Sequence, residues 1–118
     1  FQIIDDVMDY SSEKLYMGKD EGDDFKLGKT TLPIILAWKK SSKIEKLFWL
    51  RTIKELDQTN SDFDTSRKII NKYSIIDECI KIAKYYVDEA IISLNEFPQN
   101  KYKSALTELA ISSLKRKK

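Results

Sequence analysis

The sequence predicts an all-α fold. Its 118 residues include only 3 glycines and 2 prolines, too few for a protein built from many strands and tight turns. Apolar residues recur at intervals of three and four along most of the chain, and no stretch alternates between apolar and polar residues as a half-buried strand does. The length suits one domain, so we expect a single helical domain over residues 1–118.

The first forty residues are expected to form two helices separated by a loop. Helical spacing of apolar side chains begins at Phe1 and predicts a helix to about Tyr16. All three glycines fall among charged residues in 17–30, which indicates a loop. Pro33 suits the first turn of the next helix, which one of the two preceding threonines would cap.

The rest of the chain is expected to add four helices, and the clearest helical spacing is that of residues 76–94. The polar stretch 57–62 indicates a connection, and so do Pro98 and Asn100. The four helices are expected to begin at Ser41 or Ser42, near Asp62, near Ile76 and after Asn100. Apolar faces are predicted at Ile44, Leu47, Phe48, Ile53 and Leu56 in the first of them and at Tyr102, Leu106 and Leu109 in the last.

Large aromatic side chains at helical spacing are expected to lie in the core rather than in a ligand site. They are Trp38, Phe48, Trp49, Tyr85 and Tyr86. The cysteine of the chain, Cys79, lies on the apolar face of its helix and is expected to be a small buried residue.

The composition excludes several kinds of active site. The chain has no histidine and one cysteine, so by itself it forms no disulfide, no Ser-His-Asp or Cys-His catalytic group and no zinc site of cysteines and histidines. Any metal ion would have oxygen ligands, which suits Mg²⁺. No apolar run approaches the roughly 20 residues of a membrane span. We find no signal peptide and expect a cytoplasmic protein without a membrane segment.

Charge is unevenly distributed although the formal net charge is only +2. Residues 1–30 carry eight acidic residues against four lysines, whereas residues 101–118 carry six basic residues against one glutamate. The basic end raises nucleic-acid binding as one possible class of function. The low net charge and the acidic first quarter argue against that class, so we expect no nucleic-acid partner.

Three aspartates crowd together in the first predicted helix, in the sequence FQIIDDVMDY. Asp5 and Asp9 stand one helical turn apart, roughly 5–6 Å between side-chain origins, and Asp6 lies beside them. Carboxylates so close repel one another, and a shared divalent cation would explain their proximity. Taken alone, the motif is equally well interpreted as a solvated acidic face.

A second motif, GDDFKLGKTTLP, occupies the end of the predicted loop and the start of the next helix. Lys29 precedes the N-terminus of that helix, where anions bind, and Lys19 lies ten residues before it. The motif is not a P-loop, because that spacing would need glycine where the chain has Asp23. Taken alone, it is more simply interpreted as an ordinary loop.

Together the two motifs resemble the second aspartate-rich region of trans-isoprenyl (polyprenyl) diphosphate synthases. The sequence from RTIKELDQTN to the terminal KRKK resembles the final helices of that family, so the resemblance spans essentially all 118 residues. It is strongest to the octaprenyl-type branch. The resemblance implies the helical bundle of isoprenoid synthases, of which this chain would be the C-terminal part.

The resemblance also implies a reaction and its residues. An allylic diphosphate ionises, and the double bond of isopentenyl diphosphate attacks the cation. Asp5 would bind Mg²⁺ directly, with Asp6 and Asp9 supporting the metal and its waters. The residues implied to act in catalysis are Asp5, Asp6 and Lys29. The residues implied to bind substrate are Phe1, Gln2, Lys19, Lys29 and Arg116.

The chain lacks the first aspartate-rich motif of the family and the upstream residues that hold isopentenyl diphosphate. We therefore expect it to be inactive alone and to supply only the second motif. The alternative is a non-catalytic helical partner or regulatory subunit of a full-length synthase. A homo-oligomer is also expected, because an incomplete core would expose apolar residues around Ile4, Val7 and Ile35.

Overall fold

The computed structural model describes residues 2–11, 22–96 and 100–114, and these ranges contain helices and no strand. The prediction of an all-α fold is confirmed. The elements are α1 (Gln2–Met8), α2 (Asp23–Lys26), α3 (Leu32–Lys40), α4 (Lys43–Trp49), a π-helix (Leu50–Lys54), α5 (Asp62–Lys72), α6 (Ile75–Leu94) and α7 (Lys101–Ser113). None of the described helices is long and apolar enough to cross a membrane.

The core is organised around α6, the longest of the described helices, which contacts α1, α3, α5 and α7. The main apolar cluster joins α1 and α2 to the rest of the bundle, since it includes Val7 and Phe25 together with residues of α3, α5 and α6. Cys79 is buried in this cluster, as expected. The two elements that carry the predicted site motifs are therefore both anchored in the core.

Helix starts follow the capping residues in the sequence. Pro33 lies in the first turn of α3, and Thr31 occupies its N-cap position without making the predicted capping hydrogen bond through its side chain. Ser42 caps α4 in a reciprocal box, in which the Ser42 Oγ accepts from the Glu45 backbone N–H at 3.2 Å and the Glu45 Oε1 accepts from the Ser42 N–H at 2.8 Å. Asn100 caps α7 through its side-chain oxygen. These predicted starts are confirmed.

Two predicted elements differ in the structure. The first helix ends at Met8 rather than near residue 16, because Asp9 turns to bond with residues that lie far along the chain. Residues 12–16 lie outside the described ranges, as does Pro98. The predicted loop contains the short helix α2. The helix predicted after Ser42 becomes α4 followed by the π-helix, which ends where Leu56 adopts a left-handed backbone, φ +57°.

Burial differs from several expectations. Trp49 is buried as predicted, but Trp38, Tyr85 and Tyr86 are exposed. Ile4 and Val7 are buried because α1 packs against α3 and α6, so the apolar patch predicted around them is wrong at these two positions. Ile35 is exposed as predicted. The apolar faces predicted for the helices after Ser42 and after Asn100 are largely exposed, at Ile44, Leu47, Leu56, Tyr102, Leu106 and Leu109.

Two carboxylates outside the site carry strong hydrogen bonds in their ionised form. Glu45 accepts from the Tyr73 hydroxyl at 2.6 Å, and this bond, together with the Ser42 N–H, lowers the pKa of Glu45 to about 2. Arg51 donates two hydrogen bonds to Asp62, at 2.8 and 3.1 Å, and lowers the pKa of Asp62 to about 2. Both carboxylates therefore favour the folded state only while they are ionised.

Acid should weaken the fold through these groups. A carboxyl whose pKa is lower when folded contributes stability above its unfolded pKa, about 4.5 for Glu45, and loses it as the pH falls toward 2. Glu45→Gln should remove part of that loss, about 1 kcal/mol or less for a group near the surface. Urea unfolding between pH 6 and pH 2.5 measures the effect, with the exposed Glu55→Gln as the control. An unchanged pH profile in Glu45→Gln would contradict this account.

Candidate functional site

Helix α1 carries two predicted site carboxylates with different surroundings. Asp6 is only 8% exposed, and its Oδ1 accepts a hydrogen bond from the Gln2 Nε2 at 2.8 Å. The two residues are four apart, so they lie on the same face of the helix. Asp5 is half-buried and accepts no hydrogen bond from the part of the chain that the structure describes. Asp5 therefore has the carboxylate on α1 best placed to take a new ligand.

Asp9 connects the end of α1 to the start of α2. Its side chain is fully buried, and its two carboxylate oxygens accept from the backbone N–H groups of Asp24, at 3.1 Å, and Phe25, at 3.3 Å. The Asp9 carbonyl accepts from the Gly22 N–H at 3.3 Å. N–H groups in the first turn of a helix have no partner within that helix, so Asp9 acts as a cap supplied from elsewhere in the chain. Its role at a metal ion stays a prediction.

Lys29 lies directly beyond this contact. Its backbone N–H donates to the Asp24 carbonyl at 2.9 Å, and its Nζ lies 3.7 Å from the Asp24 Oδ1. The Asp24 side chain is buried, whereas the Lys29 side chain is 58% exposed. One ammonium can donate three hydrogen bonds, so Lys29 can face Asp24 and still present a positive charge to an anion in solution.

The Tyr10 hydroxyl is buried beside these carboxylates. Burial raises the pKa of Tyr10 well above its ordinary range, and the negative charges of Asp9, Asp24 and Asp6 raise it further. The hydroxyl has no hydrogen-bond partner among the described residues. Tyr10 is therefore a neutral group that brings no added negative charge to an already acidic region.

The thiol of the chain is not a candidate nucleophile. Burial, with a smaller effect of Glu78 and Asp6, raises the pKa of Cys79 to about 12. A protonated and fully buried thiol is neither a good nucleophile nor a metal ligand. Any chemistry at this site therefore depends on electrostatics rather than on covalent attack by Cys79.

The described carboxylates suit a metal ion that is bound partly by the protein and partly by substrate and water. Among residues 2–11, 22–96 and 100–114, no three histidine, cysteine, aspartate or glutamate side chains come together to hold an ion. Mg²⁺, however, usually keeps several waters and binds through one or two carboxylates together with substrate phosphates. Asp5, with Asp6 beside it, fits that kind of site and not a complete protein cage.

Three predicted substrate-binding residues, Phe1, Lys19 and Arg116, lie outside the described ranges. Sequence reasoning also missed two participants, Asp24 and Gln58. The Gln58 side chain bonds to the Phe25 carbonyl near the end of α2. The two adjacent aspartates after Gly22 were visible in the sequence, but neither the burial of Asp24 nor the contact made by Gln58 is indicated by the residues near them.

Comparison with known proteins decides the family. The polyprenyl synthetase family model matches residues 1–72, more than half of the chain. The chain belongs to the polyprenyl synthetase family. The resemblance seen in the two aspartate-containing motifs is thereby confirmed, and the matched range includes both motifs, with Asp5, Asp9 and Lys29.

Relatives of this polyprenyl synthetase family chain are considerably longer. It is 31% identical, over 100% of its length, to a probable mitochondrial hexaprenyl pyrophosphate synthase of Neurospora crassa, and covers 25% of that protein. It is also 31% identical, over 98% of its length, to the octaprenyl diphosphate synthase of Haemophilus influenzae, and covers 35% of it. The chain thus spans a quarter to about a third of these relatives.

A solved structure supports the fold of the family over nearly the whole chain. The polyprenyl synthase of Caulobacter crescentus, crystallised with calcium and isoprenyl diphosphate, matches with a TM-score of 0.88 and 38% identity. The match covers 99% of this chain and 36% of that one. The described helices therefore form part of the larger helical bundle found in the polyprenyl synthetase family.

Proposed function

We propose that this chain supplies the second aspartate-rich part of a polyprenyl diphosphate synthase, over residues 1–118 as its C-terminal portion. The complete enzyme would join isopentenyl diphosphate to an allylic diphosphate. The observation that supports this best is the docking of α1 on α2 through Asp9, because it fixes the helix that bears Asp5 against the segment that bears Lys29.

The charges of the site suit the departure of a diphosphate. When an allylic diphosphate ionises, negative charge grows on the leaving group, and fixed positive charge stabilises that transition state. Bound Mg²⁺ would supply part of that positive charge. Asp5 would hold the ion and Asp6 would orient its waters, whereas the buried carboxylate of Asp9 would act by fixing α1 against α2. Lys29 would donate to the phosphate oxygens, since its ammonium is exposed at this edge.

The remaining substrate contacts follow the family resemblance. Gln2, exposed at the start of α1 and bonded to Asp6, would lie beside the reacting carbons, together with Phe1. Lys19 and Arg116 would contact the diphosphates. The reaction needs no nucleophilic side chain, which suits a chain whose thiol stays protonated. A cytoplasmic location stays a prediction.

We propose that the chain alone does not turn over substrate, because one carboxylate motif cannot position a diphosphate for ionisation. The exposed apolar side chains on α4, α6 and α7 support contact with further protein, either the rest of a synthase or a second copy in a homo-oligomer. The same surface supports a second candidate, a non-catalytic partner of a complete synthase. Activity of the natural-length protein distinguishes the two candidates.

Calorimetry tests the metal assignment. In the natural-length protein we expect Mg²⁺ to bind weakly alone and more tightly with inorganic diphosphate, because phosphate oxygens complete its coordination. Asp5→Asn should lower the affinity for Mg²⁺ in the presence of diphosphate by about 10- to 100-fold or more. Loss of a residue that only hydrogen-bonds to a metal ligand already has an effect of that size. Asp88→Asn, an exposed aspartate on α6, is the control. The assignment would be contradicted if Mg²⁺ bound equally well with and without diphosphate, or if Asp5→Asn bound Mg²⁺ as tightly as the unchanged protein.

A further inference from the structure

Gln58 joins two elements that are distant in sequence. Its Nε2 donates to the Phe25 carbonyl in α2 and to the Thr52 carbonyl in the π-helix, both at 2.8 Å. The side chain thus uses both of its N–H bonds on backbone acceptors 33 and 6 residues away.

The shape of the chain around the π-helix creates the need for this donor. Leu56 has a left-handed backbone, φ +57°, which ends the helix, and the Asp57 N–H donates back to the Arg51 carbonyl at 3.0 Å. Carbonyls in a last helical turn lack partners within the helix. Thr52 is completely buried, so its carbonyl has little access to water and relies on Gln58.

The other bonded carbonyl, that of Phe25, lies at the base of the segment that leads to Lys29. The same oxygen accepts from the Gly28 N–H at 3.0 Å, and the Phe25 ring is buried in the core. Gly28 approaches the π-helix so closely that an added Cβ would lie 2.6 Å from the Ile53 carbonyl oxygen. The segment from Phe25 to Gly28 therefore packs tightly against the π-helix, and Lys29 is the next residue in the chain.

We propose that Gln58 is a positioning residue for Lys29, holding the end of α2 on the π-helix so that the ammonium is fixed where a substrate diphosphate would bind. The inference rests on the proposed role of Lys29. Asp9 secures the start of α2, and Gln58 secures its end. Gln58 itself touches neither metal nor substrate.

The test uses Gln58→Met in the natural-length protein, since methionine keeps the length of the side chain and removes both donors. Hydrogen exchange of the amides at Gly28 and Lys29 should accelerate about three- to tenfold, as expected when a net hydrogen bond is lost. Gln58→His, which retains one ring N–H, should restore part of the protection. Asn60→Ala, an exposed residue of the same connection, should change nothing.

Kinetics link this contact to Lys29. Gln58→Met should raise the KM for the allylic diphosphate and lower kcat/KM about three- to tenfold. In a Lys29→Ala background the same substitution should cause no further loss, because a residue that acts through Lys29 has nothing left to position. A general loss of packing would instead lower activity in both backgrounds.

The outcomes separate the two proposals. Unchanged exchange at Gly28 and Lys29 in Gln58→Met overturns the positioning role, and so do independent losses in the double variant. Full activity in the Lys29→Ala single variant overturns the proposed role of Lys29, and exchange still reports separately on the contact made by Gln58. Should Gln58→Met fail to fold, the comparison of Gln58→His with the unchanged protein gives the same decision.

Discussion

Replacing Asp5 with alanine is expected to lower the rate of prenyl transfer by about 10²- to 10³-fold or more, the loss found when a preorganised electrostatic partner of a transition state is removed. Asp5 is the α1 carboxylate that accepts no hydrogen bond from the described residues, so its replacement breaks no such bond. The loss should therefore fall on kcat and not on stability.

Incorporation of labelled isopentenyl diphosphate into prenyl product, with an allylic primer and the natural-length protein, measures this effect. Lys29→Ala should cost about 10²-fold, because it removes one electrostatic donor while the metal site remains. The exposed Asp88→Ala is the matched control. Activity that is indifferent to Asp5→Ala would show that the metal is held elsewhere.

Replacing Gly28 with alanine is expected to destabilise the fold by about 2–4 kcal/mol, within the range of substitutions that combine backbone strain with a steric clash. Gly28 has φ +68°, a conformation that disfavours a side chain. The new Cβ would also lie 2.6 Å from the Ile53 carbonyl oxygen and 2.5 Å from the Leu56 side chain. A backbone oxygen cannot rotate away, so α2 or the π-helix has to shift.

Urea unfolding measures this loss, and Leu27→Ala is the control because Leu27 is 65% exposed and should change stability by less than about 0.5 kcal/mol. Gly22→Ala gives a useful comparison. Its φ of +82° brings the same strain, but the atoms nearest to the new Cβ would be those of the Phe63 ring, at 3.1 Å, which can move more easily than backbone. Equal stability of the Gly28→Ala and Leu27→Ala proteins would show that this region can move freely.

The parts of the fold that the sequence predicts well depend on local interactions. Pro33, Ser42 with Glu45, and Asn100 all act within one helical turn, so their residue types and spacing are enough to place the starts of three helices. The long apolar repeat of α6 is equally local. Such signals do not depend on which distant residues pack against the helix.

The features that escaped prediction depend on distant partners. Met8 ends α1 because Asp9 bonds to residues 15 and 16 positions further on, and no pattern near Asp9 reveals them. Apolar spacing also predicts a face without saying what covers it. Ile4 is covered by neighbouring helices, whereas Tyr85 and Tyr86 on equally periodic positions are left exposed.

The candidate site divides in the same way. Asp5, Asp6 and Lys29 are picked out through the resemblance of the two motifs to polyprenyl diphosphate synthases, since each motif taken alone also suits a solvated acidic face or an ordinary loop. The buried state of Asp24 and the bridging contact of Gln58 were not visible, since they arise only when α2 packs against the π-helix. A sequence motif can indicate which residues bind a ligand, whereas the residues that position them are recognised only from the folded structure.

The bond between Asp9 and the start of α2 also has an evolutionary consequence. Because Asp9 holds Gly22, Asp24 and Phe25 directly, the spacing between Asp5 and Lys29 in space is set by that contact and not by the number of residues between 11 and 22. An insertion or deletion in that stretch during evolution would therefore not by itself move Lys29 relative to α1, whereas a change at Asp9 would alter both sides of the site at once.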